Sequence, residues 1–189
     1  MRGLIVILSG PSGVGKDTVI TEWQKRNPDV RRVVTCTTRQ PRPGERDGVD
    51  YTFLDTLEFQ KRAASGELLE FKSVHGNFYG APAGETDELV KNRLIAVLKI
   101  DVQGGATVKA ARPEALTIFL APPSWEELER RIRERATDSE EAIRLRLENA
   151  RREMEASAHY EHVVVNDDLQ RAVAEVDAIV TEARSSRGD

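Results

Sequence analysis

The residues best equipped for chemistry in this 189-residue sequence form one short run, Gly10-Pro11-Ser12-Gly13-Val14-Gly15-Lys16. In a Gly-x-x-x-x-Gly-Lys pattern the glycines let successive backbone N–H groups curl around phosphate oxygens, and the lysine brings a point charge to the β and γ phosphates. The bare pattern arises by chance in roughly one chain of this length in twenty. Its flanks make accident a poor explanation. The run GLIVILS (Gly3 to Ser9) is continuously apolar and β-branched, as a strand buried on both faces requires. Lys16 to Arg26 carries helical patterning with Val19, Ile20 and Trp23 on one side, so the loop opens a helix whose N-terminus attracts anions. One position departs from the usual pattern. Where Ser or Thr normally follows the lysine and binds Mg²⁺, this chain has Asp17, then Thr18. A carboxylate is a good hard-oxygen ligand for Mg²⁺. The same residue can instead cap the helix start and leave the ion to nucleotide and water, and both readings stand at this level.

Two further groups of cations suit phosphate. In Thr37-Thr38-Arg39-Gln40-Pro41-Arg42-Pro43-Gly44-Glu45, stiff prolines set Arg39 and Arg42 at a fixed separation, which fits a dianionic phosphate. A solvated basic loop is the bland alternative. Arg131 and Arg135 lie four apart on one helical face, a spacing that is mildly repulsive unless an anion sits between them. Arg131 can also pair with Glu127, whereas Arg146 on the next helix has no acid three or four residues away.

The elements that must position these groups alternate. Strands are expected at Gly3–Ser9, Arg32–Cys36, Leu94–Ile100, Ala115–Ala121 and His162–Val165. Helices are expected at Lys16–Arg26, Gly104–Ala111, Trp125–Arg135, Ser139–Ala156 and Leu169 to about Ala183, with capping-box spacing at Ser124/Glu127 and Thr137/Glu140. This order implies a three-layer α/β fold with a mainly parallel sheet. Tyr51 to Asn92 reads differently, as an inserted α+β lobe with short strands, a helix near Leu57–Ala64 and a turn-rich segment Gly76–Gly84. The net charge of −4 leaves no global basic field for nucleic acid, so phosphate must be recognised by local groups. A single cysteine, Cys36, cannot form an internal disulfide, and no apolar run is long enough to span a membrane. A cytoplasmic protein is expected.

Across nearly the whole chain, ordered motifs resemble those of guanylate kinases. They are TTRQPRPGE, Asp50-Tyr51-Thr52-Phe53, Glu70-Phe71, Gly76-Asn77-Phe78-Tyr79-Gly80, Ile100-Asp101-Val102-Gln103-Gly104, Ala121-Pro122-Pro123-Ser124 and Val165-Asn166-Asp167-Asp168. The resemblance implies a P-loop fold in which ATP phosphorylates GMP, and dGMP as a further acceptor, with Mg²⁺. It implies that Arg39, Arg42, Tyr51 and Tyr79, with Thr35 nearby, hold the GMP phosphate, and that Glu70 and Asp101 read guanine. Guanine's adjacent N1–H and N2–H₂ donors suit carboxylates, whereas adenine offers an acceptor at N1. Lys16, Asp17, Thr18, Arg131, Arg135 and Asn166 would bind ATP, with Arg146 completing a lid. The implied division is a core at 1–34, 94–122 and 158–185, a GMP lobe at 35–93, a lid at 123–157 and a tail at 186–189. Two residues depart from the family pattern. Ala81 stands where a Ser or Thr helps contact the base, and Lys99 where the first Asp of Asp-Ile-Asp is common.

Other classes predict other features. Guanylate-kinase-like interaction modules typically have degraded phosphate loops, and this one is intact. A GTP-binding switch needs an Asn-Lys-x-Asp motif, which does not occur. A kinase acting on a sugar phosphate would have no use for Glu70 beside paired tyrosines. Oligomeric state is not legible.

Overall fold

The computed structural model describes residues 1–74, 76–134 and 139–186. Among these residues the strands form two sheets. The larger contains β1 (Leu4–Ser9), β2 (Val30–Arg32), β7 (Ile95–Lys99), β8 (Leu116–Ala121) and β9 (His162–Val165), in the order β2-β7-β1-β8-β9. All its pairings are parallel, so every connection must cross over through a helix on one face or the other. That burial explains the apolar runs: each residue of β1 and β8 is buried.

One face carries α1 (Lys16–Arg26), α7 (Leu169–Ser186) and the helical pair α5 (Trp125–Glu134) and α6 (Glu140–Glu155). Val6 and Leu8 of β1 meet Val19, Ile20 and Trp23 of α1 and Val173, Val176 and Val180 of α7 in one cluster. The opposite face packs Ile5, Ile7 and Leu98 against Val108 of α4 (Val102–Ala111) and Leu89 and Val90 of α3 (Ala83–Lys91). Alternate residues of one strand thus supply both cores.

The second sheet, β4-β3-β6-β5, is built from β3 (Cys36–Thr37), β4 (Thr52–Phe53), β5 (Leu68–Val74) and β6 (Asn77–Pro82), with α2 (Thr56–Ala64) beside it. β5 and β6 form an antiparallel hairpin with a register shift between Leu68 and Glu70. Phe59 of α2 is fully buried and stacks on Phe78, giving this smaller sheet a core of its own.

Three expectations need correction. The strand expected at Arg32–Cys36 is two strands in different sheets: β2 ends at Arg32 and β3 begins at Cys36. The β-branched run marked extended backbone, but periodicity carries no sign of a change of sheet. The turn-rich reading of Gly76–Gly84 holds only at Gly76, which turns the hairpin at φ 79; the rest is β6 and the first residues of α3. Thr137, expected to cap α6, lies outside the described residues, and the helix is capped by Ser139, whose side chain accepts from the Ala142 N–H. At α5 the cap is as expected in part, since Ser124 Oγ accepts from Glu127 N–H at 3.2 Å.

Helix α7 runs to Ser186, three residues beyond the expected end. The reason is Arg184, which is buried and whose guanidinium donates to the carbonyls of Arg2 and Arg93 at 2.9 and 2.6 Å and to Asp29 at 2.8 Å. It ties the C-terminal helix to the strand entrances on the far side from the phosphate loop. Replacing it leaves two half-buried carbonyls without their donor. Arg184→Met is expected to lower stability by about 2 kcal/mol, read as a reduced urea midpoint with an unchanged slope, while acceptor KM is unaffected.

Candidate functional site

The phosphate loop connects the end of β1 to the start of α1, and its path depends on glycine. Gly10, Gly13 and Gly15 all have positive φ, and a Cβ on Gly10 would lie 2.2 Å from the Leu120 carbonyl oxygen. A side chain at Gly10 is therefore excluded by both dihedral and contact. The loop is pinned from the side by Asn166, which is buried at the end of β9. Its Nδ2 donates to the Val14 carbonyl at 2.7 Å. Lys16 Nζ folds back on the loop, donating to the carbonyl of Gly10 and, at 3.1 Å, to that of Pro11.

Helices α5 and α6 rest on this loop. Arg131 reaches the carbonyls of Val14 and Asn166 at 3.4–3.5 Å while pairing with Glu127 at 2.7 Å, so the pairing seen as an alternative in the sequence coexists with a place at the loop. Arg146 donates to Ser12 Oγ at 3.0 Å. Glu153 of α6 accepts from the Ser12 N–H at 3.3 Å. Burial pushes the Glu153 carboxyl up, and Lys16, the Ser12 N–H and Lys72 only partly oppose it. No motif or spacing singled out Glu153, one acid among many on α6. Arg135 lies outside the described residues. Gly13, Gly15, Thr18, Arg131 and Asn166 line one open cavity, on the side of the loop facing β9 and α7.

A second cavity, of about 260 Å³, opens between the two sheets. Lys16, Thr35, Tyr51, Tyr79 and Lys99 line it together with Glu70, Lys72 and Asp101. It therefore joins the loop lysine to the residues expected to hold an acceptor. Near one end, Tyr51 and Tyr79 meet edge to face at 6.1 Å, and the Arg39 guanidinium lies over the Tyr51 and Phe53 rings at 5.3 and 5.8 Å. Arg39 is held by both oxygens of Glu45, each at 2.9 Å, and Glu45 also accepts from the Arg42 N–H at 2.7 Å. The Arg39 hydrogen bonds bring the Glu45 carboxyl down to about 2, and Arg39 is raised in turn by the same contact. Prolines alone were expected to set the two arginines. The carboxylate six residues on completes the loop, and its place at the end of the TTRQPRPGE motif was the available signal.

Toward the other end, Glu70 is buried with its carboxylate against the start of α4: a Cβ on Gly104 would meet Glu70 Oε2 at 2.9 Å. A helix N-terminus favours a carboxylate there. Desolvation still raises the Glu70 pKa, with Lys72 opposing. Asp101 caps α4, accepting from Gly104 N–H at 2.9 Å, and its second oxygen contacts Lys72 Nζ.

Asp17, in place of the usual Ser or Thr after the loop lysine, and Lys99, in place of the first Asp of Asp-Ile-Asp, prove to be partners. Lys99 Nζ donates to Asp17 Oδ1 at 2.7 Å, and Arg32 lies 3.1 Å from the same oxygen. Asp17 therefore does not cap its helix; the N-cap is Gly15, without a side-chain hydrogen bond. Burial would raise the Asp17 pKa, but Lys99, Arg32 and Lys16 together carry it below the ordinary carboxylate value. Residues 82 apart in sequence gave no hint of this pairing.

Comparison with known proteins agrees with this arrangement. A family model described as guanylate kinase matches residues 2–183. The chain is 47% identical over 186 residues to a guanylate kinase of Myxococcus xanthus, covering 98% of this chain and 89% of that one. It is 42% identical over 184 residues to a guanylate kinase of Corynebacterium diphtheriae, covering 96% of each. Among solved structures, a guanylate kinase from Anaplasma phagocytophilum superposes with TM-score 0.77 at 31% identity, covering 100% of this chain and 88% of that one.

The Glu45 contacts make a specific demand. Glu45→Ala removes both anchors of Arg39 and the acceptor of the Arg42 N–H, and for two arginines expected to hold a phosphate, misplacement by even an ångström is costly. Acceptor KM is expected to rise roughly tenfold in steady-state assays while KM for ATP stays within about twofold.

Proposed function

The chain belongs to the guanylate kinase family, whose reaction is the ATP-dependent phosphorylation of GMP, and from that premise we propose which of its residues carry each part of the reaction. The observation that supports the assignment best is the shared cavity, in which the loop lysine, Lys16, and the acceptor groups Tyr51, Tyr79, Glu70 and Asp101 line one space.

ATP lies along the phosphate loop, with Gly10 to Lys16 directing backbone N–H groups and the Lys16 ammonium at the β and γ phosphates, and with Thr18, Arg131 and Asn166 at the adjoining cavity. GMP occupies the second cavity. Arg39 and Arg42 take its phosphate, with the hydroxyls of Tyr51 and Tyr79 and with Thr35 beside them. Glu70 and Asp101 accept from guanine N1–H and N2–H₂, and adenine, which offers an acceptor at N1, would leave Glu70 buried and unpaired. An oxygen of the GMP phosphate attacks the γ phosphorus; that P–O bond forms as the bond to the ADP leaving oxygen breaks. The attacking oxygen is already ionised, so the protein supplies orientation and charge rather than a strong base. Arg131, Arg146 and Arg135, on the two lid helices and the segment between them, supply the remaining positive charge and, with the lid closed, keep water from the γ phosphate. The functional division is a core at 1–34, 94–122 and 158–185, a GMP lobe at 35–93 and a lid at 123–157.

Mg²⁺ fits this site as an ion held chiefly by the triphosphate and water. Among the described residues no group of three or more His, Cys, Asp or Glu could hold a metal ion unaided. Asp17 is the carboxylate beside the loop lysine, and its contacts with Lys99 and Arg32 fix it there. Asp17 would be the protein group nearest to hold it, directly or through water, and the bound ion would supply neutralisation of the triphosphate charge. No helix among the described residues is long and apolar enough to cross a membrane. The working compartment proposed is the cytoplasm.

Two outcomes test the assignment. Arg39→Ala and Arg42→Ala are each expected to lower kcat/KM for GMP by roughly 10²-fold, the cost of removing a charge-stabilising contact in the transition state; unchanged kinetics in both would refute the phosphate clamp. Glu70 must be ionised to accept both guanine donors, and its pKa is raised by burial above the ordinary 4.5. As pH falls through that raised value the carboxylate is protonated and guanine binding is lost. The acid limb of kcat/KM for GMP is therefore expected above the ordinary glutamate range, and Glu70→Gln should remove that limb along with most of the activity.

A further inference from the structure

A guanine pocket needs more than two carboxylates. Guanine's Watson–Crick edge presents two donors, N2–H₂ and N1–H, followed by an acceptor, O6. Its complement is two acceptors followed by a donor. Glu70 and Asp101 give the acceptors. The family's usual hydroxyl is absent here, because the position holds Ala81, which is fully buried and carries no polar side-chain atom.

The geometry narrows where a donor can come from. Ala81 pairs with Glu70 across the β5–β6 hairpin, and the next residue of β5 on the same face is Lys72. Glu70, Lys72 and Val74 all line the acceptor cavity. Among the other cavity residues with side-chain donors, Lys16 Nζ is turned to the Gly10 and Pro11 carbonyls and Lys99 Nζ to Asp17. Tyr51 and Tyr79 gather around Arg39, and Thr35 is assigned with them to the phosphate. Lys72 is different: its Nζ contacts the Asp101 carboxylate, and its charge is also felt by Glu70. It is an ammonium placed beside both base-reading acids. Burial favours its neutral form and the two glutamates Glu70 and Glu153 favour the charged one. Lysine also suits the task chemically, since it carries three rotatable donors and no acceptor.

We propose that Lys72 is a specificity-determining residue for the acceptor base, donating to guanine O6 in the place left by the missing hydroxyl at Ala81. This rests on the reading that the base lies between Glu70 and Asp101. When N1–H and N2–H₂ occupy the carboxylates, the Lys72 ammonium stays anchored at the edge of the pair and turns one N–H to O6. Adenine brings an amino group to that point, donor against donor, so Lys72 adds a repulsive element to the rejection already made by Glu70.

The test compares acceptors that differ at one atom of the base. At neutral pH with saturating ATP and Mg²⁺, kcat/KM is measured for GMP, for 6-thio-GMP and for IMP. The first change replaces O6 by a weaker acceptor and keeps both donors; the second removes N2–H₂ and keeps O6. Ratios taken on one preparation are independent of the folded fraction of a variant. In Lys72→Met the preference for GMP over 6-thio-GMP is expected to fall about tenfold, as the loss of a charged donor predicts, while the preference for GMP over IMP stays within about twofold. Lys72→Arg, which keeps a charged donor, should retain most of the first preference. An unchanged GMP to 6-thio-GMP ratio in Lys72→Met overturns the proposal. So does an equal loss on all three acceptors, which would make Lys72 only a neutraliser of Glu70 and Asp101. Failure of the unsubstituted protein to use GMP would remove the acceptor reading itself, an outcome distinct from either of these.

Discussion

Everything in this molecule is arranged around one constraint: a loop of backbone N–H groups must turn back on itself between a buried strand and the helix that follows it. That turn requires three left-handed glycines, and at Gly10 it brings the chain so close to the Leu120 carbonyl that no side chain fits. The parallel sheet supplies the frame. β1 is central, flanked by β7 and β8, and its two faces are covered by separate helical layers, so the loop emerges from the most rigid part of the chain. Asn166 from β9 then fixes the loop at Val14. Of the residues proposed to hold the acceptor, Glu70 and Tyr79 sit on a different sheet, and the cavity that joins them to Lys16 lies between the two.

A second physical theme follows from the charge. The chain is acidic overall, at −4, yet its site must gather cations around phosphates. It does so by giving site cations acidic partners. Glu45 holds Arg39, Asp17 holds Lys99, Asp101 meets Lys72 and Glu127 holds Arg131. In the proposed site each such pair orients its cation before substrate arrives, which lowers the ordering cost on binding. The pairs are partly exposed, and exposed pairs contribute little to stability. Their value lies in position rather than in stability. Glu153 extends the pattern to the lid, where a carboxylate on α6 accepts from the loop's own Ser12 N–H.

Much of this was legible in the residues. The apolar runs marked β1, β7 and β8 because strands buried on both faces leave no alternation to misread, while β9, at the sheet edge with Val163 and Val165 exposed, was marked by its run of valines. The loop glycines, Arg39 and Arg42, the paired tyrosines and Glu70 were recognisable from spacing and from motif order. Two kinds of feature were not. One is a change of sheet within an extended run, as between Arg32 and Cys36, since local pattern reports conformation and not partner. The other is contact between residues far apart in sequence. Asp17 and Lys99 each looked like an isolated departure from the family, and only the fold brings them to 2.7 Å. Arg184, just past the expected end of the last helix at about Ala183, is a buried tie to two carbonyls near the start and middle of the chain.

The central claim is that Glu70 and Asp101 make the acceptor site a guanine site while the loop beside it delivers phosphate from ATP. The most direct measurement is ADP formation from ATP with GMP, dGMP, AMP, CMP and UMP offered separately. The account predicts turnover with GMP and a preference over AMP of at least about 10³-fold, because the wrong base leaves the buried Glu70 carboxylate unpaired. Comparable rates with AMP, or none with GMP, would contradict it.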